Sequence, residues 1–187
     1  NGNTYSGLER VWYTVRATGN VSAEQTTTLM DNSNNRVQSH QSGSWNVTIP
    51  AQTYNSNNVT VQAFAVDFAG NEYESAATEL KIDVTAPTIS VVWDLNDPSN
   101  GRYYKDTRTA TVTITDRNFD ADRVEFSITN TDGVSASIGG WSVSGDMGVS
   151  DSATATCQVA FPEDGDYTFT LNCTDLAGNS GTYGQTD

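Results

Sequence analysis

Cysteine, histidine, lysine and long apolar runs are all scarce in this chain, and each scarcity excludes something. Two cysteines, Cys157 and Cys173, and a single histidine, His40, cannot supply the four closely spaced ligands of a structural zinc site. A Ser-His-Asp or Cys-His arrangement would have to use His40. That residue stands in the polar stretch Val37–Gly43, which reads as an exposed loop rather than the seat of a general base. Lysine occurs twice, at Lys81 and Lys105. No apolar run approaches the roughly 20 residues that cross a bilayer as a helix. No stretch of about 11 residues repeats apolar side chains at i, i+3, i+4 and i+7, so amphipathic helices are not expected either. Basic residues are few: 9 against 23 acidic ones, a net charge of −14. Residues 1–84 carry four basic and eight acidic groups, and residues 85–187 carry five and fifteen, so the halves stand at −4 and −10. Such a surface repels nucleic-acid phosphates and anionic lipid, and neither nucleic acid nor membrane insertion is expected of this segment.

What is abundant is Thr, Ser, Asn and Gly, a mixture that suits short strands and turns. The clearest strand grammar lies in Phe161–Asn179. Tyr167, Phe169, Leu171 and Cys173 alternate with Thr168, Thr170 and Asn172, the period of a half-buried strand. The run stops at Asp175-Leu-Ala-Gly178-Asn179, a hairpin signal with glycine where a positive φ is wanted. A second copy ends Val59–Asn71, at Asp67-Phe-Ala-Gly70-Asn71.

Alternation marks further strands at Leu8–Ala17, Thr26–Asp31, Trp45–Ile49, Val59–Asp67, Thr78–Asp83, Thr88–Trp93, Arg108–Thr115, Arg123–Asn130 and Thr154–Phe161. Ala51–Asn58 reads as a polar loop. The two halves align: Val11–Val15 on Val124–Ile128, Trp45–Pro50 on Cys157–Pro162, and Val59–Asn71 on Tyr167–Asn179. Self-similarity at about one hundred residues points to tandem β domains, 1–84 and 85–187, meeting near Pro87. The alignment also predicts ragged units. The first lacks the strands that precede Val124 in the second. The second ends where its last strand should begin, eight residues past Asn179. Unpaired edges of that kind lead to an expectation of contacts between neighbouring chains.

Three features now support a resemblance: Asp-x-Ala-Gly-Asn twice, the junction Ile82-Asp-Val-Thr-Ala-Pro87, and Asp164-Gly-Asp-Tyr-Thr-Phe169. Together they resemble tandem bacterial Ig-like repeats of a large surface protein, of a Gram-positive organism on this reading. The resemblance implies an all-β fold of two Ig-like sandwiches and an extracellular, cell-surface location. It further implies a non-enzymatic role as spacer or adhesive segment whose partners are neighbouring repeats of the same polypeptide. Tyr167 takes the place of a tyrosine corner, its hydroxyl bonding back near Glu163–Gly165. The first half has Val59 there and four extra loop residues.

Four candidate sites remain. Cys157 and Cys173 lie eight residues either side of Gly165 and are expected to face each other across the core. A disulfide and two buried thiols are the readings, and the disulfide is favoured. Trp45 and Ala65 occupy the aligned positions in the first half. Asp94, Asn96 and Asp97 offer oxygen ligands for calcium near the junction, although their spacing matches no EF-hand. Asp67 and Asp175 could instead serve backbone amides of their own turns, with Gly70, Asn71, Gly178 and Asn179 completing them. Trp12, on the wet side of its strand, is a candidate for stacking on a carbohydrate or host ligand, the alternative to a purely structural role.

Overall fold

The computed structural model describes residues 6–19, 21–34, 43–94, 103–133 and 135–186. The chain divides into two compact units, Asn1–Asp83 and Val84–Asp187, one residue from the expected boundary.

Unit 1 contains β1 (Leu8–Thr18), β2 (Ala23–Asp31), β3 (Asn58–Asp67), β4 (Glu72–Glu74) and β5 (Thr78–Leu80). They form one antiparallel sheet in the order β2-β1-β3-β4, with β5 also on β3. Val11, Val15 and Ala17 point to the buried face of β1, as their period of two requires. Val15, Ala17 and Val59 close a small core with Tyr54, and Ile49, Val61 and Leu80 pack against it.

Unit 2 is a two-layer sandwich. Its strands are β6 (Thr88–Trp93), β7 (Arg108–Thr115), β8 (Val124–Asn130), β9 (Ser137–Ile138), β10 (Ser142–Ser144), β11 (Thr154–Phe161), β12 (Tyr167–Thr174) and β13 (Ser180–Thr186). One sheet runs β10-β11-β7-β6, with β9 on β11; the other runs β13-β12-β8. Alternate residues of β7 and β11 meet those of β12 between the layers. Ala110, Val112, Ile114, Val159, Phe161, Phe169 and Leu171 fill the core together with both cysteines. Phe169 is its aromatic hub, with ring centroids 5.8 Å from Phe161, 6.2 Å from Phe126 and 5.7 Å from Tyr183.

The internal alignment holds in space. Val11 pairs with Ala65 and Trp12 with Phe64; the aligned residues Val124 and Glu125 pair with Cys173 and Asn172 in the same register.

Two expectations are corrected. Trp45–Ile49 forms no strand, and Trp45 is 39% exposed. Its counterpart β11 is paired along its whole length with β7. Among the described residues unit 1 has no strand placed like β7, and a strand cannot stand without a partner for its backbone. The last strand of unit 2, expected to be missing, is present. β13 follows Asn179 directly and pairs with β12 over seven residue pairs. Its counterpart in unit 1 is β4, which likewise starts one residue past the turn. The edge of β12 expected to be bare is therefore covered.

Candidate functional site

The feature the two units share most closely is the turn that ends β3 and β12. In unit 1 the Asp67 amide donates to the Asn71 carbonyl at 3.1 Å, and the Gly70 amide donates back to the Asp67 carbonyl at 2.9 Å. In unit 2 the same two bonds, Asp175 to Asn179 and Gly178 to Asp175, measure 2.9 and 3.2 Å. The carboxylates then brace the loop from inside. Asp67 Oδ1 accepts from the amides of Ala69 and Asn71 at 2.9 and 2.8 Å, and Oδ2 accepts from Asn71 Nδ2 at 2.8 Å. Asp175 makes the matching bonds to Ala177, Asn179 and Asn179 Nδ2 at 2.8, 2.9 and 2.9 Å. Gly70 and Gly178 sit at φ +80° and +96°, where a side chain is strained. Each turn is also tied to the strand entering its sheet: Phe68 donates to the Gly7 carbonyl at 3.2 Å, and Leu176 to that of Asn118 at 3.0 Å.

The surroundings differ. Asp67 is half-buried and also accepts from the Ser6 hydroxyl. That bond, then the Asn71 side chain and amide, hold its pKa down at about 2. Asp175 is 0% exposed. Arg123 Nη1 donates to its backbone carbonyl at 3.1 Å, and Arg123 Nε lies 3.4 Å from Asp120. Asp116, 3% exposed, brings a carboxylate oxygen within 4.8 Å of one on Asp175. Arg117 is buried beside it and pairs with Asp151 Oδ1 at 2.5 Å.

The remaining sequence candidates are placed as follows. The Tyr167 hydroxyl donates to the Glu163 carbonyl at 3.2 Å across the corner between β11 and β12. Unit 1 has Val59 there, 1% exposed, and fills the space with Tyr54, 2% exposed, from the extra loop residues. Ser56 in the same loop is buried and bonds the Thr18 carbonyl. Neither role shows in the sequence, because both residues stand among polar neighbours without periodicity.

Cys157 and Cys173 are both buried in the core of unit 2, one on each sheet, but as free thiols. Of the two readings of the pair, the structure holds the two buried thiols, and Cys157 Sγ donates to the Gly139 carbonyl at 3.1 Å. Burial raises the pKa of both thiols, that of Cys173 to about 11 with help from the Asp116, Asp175 and Asp120 carboxylates.

Of the calcium candidates, Asn96 and Asp97 lie outside the described residues. Asp94 Oδ1 accepts from the Thr109 amide at 2.8 Å, joining the ends of β6 and β7. Trp12 is half-buried on the outer face of its sheet. Its ring stacks on Phe64 with centroids 5.5 Å apart, and the Arg10 guanidinium lies 4.4 Å from its centre. The aligned positions in unit 2 are Glu125 and Asn172, so the fold itself does not require the aromatic pair.

Two facing antiparallel sheets, a tyrosine corner and a repeated aspartate turn define an immunoglobulin-type β protein. The family model of the bacterial Ig-like domain matches residues 2–84 and 114–186, and the chain belongs to that family. β6 and most of β7 lie outside the two matched segments. No curated protein matches the sequence. Domains of this family are typically non-catalytic and commonly occur in extracellular surface proteins.

Proposed function

We propose that this chain is a non-catalytic spacer, two Ig-like domains in series within an extracellular bacterial surface protein, presenting other domains and contributing to adhesion through its length. The observation that supports this most is how the polar groups of the turns are used. The aspartates of both turns accept from backbone amides of their own loop and from the side chain of the turn asparagine. The same five-residue brace recurs in each unit. That is the economy of a module selected to stay folded under load. The central strand pairs are long: β1 and β3 are registered over ten residue pairs, and β11 and β7 over eight.

Pulling single molecules from both termini tests the reading. Two separate unfolding events are expected, each releasing roughly 300 Å of chain at about 3.5 Å per residue. A chain that extends without a resisting event contradicts the spacer role.

A further inference from the structure

Cys157 and Cys173 are the chain's two cysteines, and the core of unit 2 places them on facing sheets. β11 and β12 leave the corner at residues 162–166 in opposite chain directions, so residues equidistant from Gly165 come opposite each other. Phe161 and Phe169, four residues either side, show this directly, with ring centroids 5.8 Å apart. Two residues further out stand Val159 and Leu171, and two further again the cysteines. All six side chains are at most 6% exposed and belong to one cluster. A disulfide spans Cα atoms roughly 4.4–6.8 Å apart, whereas packed sheets lie about 10 Å apart. Closing the bond therefore draws the two layers together at that level. It also requires Cys157 Sγ to leave the Gly139 carbonyl.

We propose that Cys157 and Cys173 are a redox-responsive inter-sheet crosslink, open in the dithiol form and closed when unit 2 folds with a disulfide oxidant such as oxidised glutathione. One cysteine thiolate attacks the glutathione disulfide, giving a mixed disulfide and releasing one glutathione thiolate. The second cysteine thiolate attacks the protein sulfur of that bond and expels the other glutathione. Two protein thiols lose two protons and two electrons, and the oxidant becomes two reduced glutathiones.

Folding is the step at which the choice is made. In the folded dithiol protein both sulfurs are out of reach of solvent, and their raised pKa values leave little thiolate at neutral pH. The bond state is thus set while the chain is open and retained afterwards. Unit 1 is the internal control, because Trp45 and Ala65 stand at the aligned positions.

The test uses the whole chain, unfolded in guanidinium and refolded either in a mixture of oxidised and reduced glutathione or with a phosphine reductant. Oxidative refolding is expected to give a monomer lighter by two hydrogens, with no thiol reactive after denaturation. Its unit 2 should melt higher by on the order of 10 °C, while unit 1 is unchanged. Folded reduced protein placed in the same glutathione mixture should keep both thiols at least about ten times longer than the refolding chain. A Cys157→Ala, Cys173→Ala double variant should melt alike in both buffers. Two thiols left free after oxidative refolding overturn the proposal. So do a stable glutathione adduct, dimers linked between chains, or an internal bond that lowers the melting temperature. If the double variant fails to fold, the two wild-type preparations still decide.

Discussion

Units 1 and 2 build the same five-residue turn with the same hydrogen bonds, yet the aspartate at its base is half-buried in one and fully buried in the other. The comparison separates what the motif does from what its surroundings do. The bond pattern is intrinsic, since it survives both settings. The dependence of the fold on it is not. Asp67 braces a turn whose amides could fall back on water. Asp175 braces its turn with a carboxylate that is itself shut away from water, so the bonds it accepts are worth more and their loss is harder to make good. The corner differs the other way round: unit 2 ties it with a hydroxyl on Tyr167, and unit 1 packs it with Tyr54.

Several substitutions sharpen or break this comparison. The largest effect is expected from Tyr54→Ala, which empties a nearly closed site and should cost unit 1 about 3–4 kcal/mol. Denaturant unfolding followed by hydrogen exchange should assign the loss to unit 1 alone; an effect under about 1 kcal/mol means the loop is not part of its core. Next comes Asp175→Ala. It removes a fully buried carboxylate together with the bonds it accepts from the Ala177 and Asn179 amides and the Asn179 side chain, and should cost unit 2 about 3 kcal/mol. Asp67→Ala should cost unit 1 visibly less, because that carboxylate is only half-buried. Equal losses would erase the distinction drawn from burial. Tyr167→Phe deletes one hydroxyl bond and should cost about 1 kcal/mol, read from the urea midpoint of unit 2.

The smallest expected effect is a pH dependence. The Asp67 pKa is about 2 in the folded chain and near 3.9 when unfolded. Its contribution to unit 1 is therefore complete above about pH 4 and lost as pH falls through about 2. Protection of the Ala69 and Asn71 amides should follow that window in the wild type and be absent from Asp67→Asn. Loss beginning above about pH 5 would point to another group.

Much of this was legible in the sequence, for definite reasons. Strands with one wet face announce themselves by alternation, and Thr88–Trp93, Arg108–Thr115 and Thr154–Phe161 were read to the residue. The aspartate turns were legible because glycine and asparagine at fixed offsets from an aspartate have few other uses. Alternation misled at Trp45–Ile49, since a pattern names a face but not a partner strand. It was silent at Ser180–Thr186, where two glycines and one tyrosine leave no apolar face to see. The core role of Tyr54 was hidden because one aromatic among polar neighbours carries no period. Spacing brought the two cysteines to opposite sheets of one core, but it could not report which way the Cys157 sulfur is turned.

Amide hydrogen exchange at four positions tests the central claim most directly. The amides of Ala69 and Asn71 in unit 1, and of Ala177 and Asn179 in unit 2, all donate to a turn aspartate. All four should exchange more slowly than in an unfolded chain, with the unit 2 pair slower than the unit 1 pair. Exchange of all four at unfolded rates would contradict the shared brace on which the account rests.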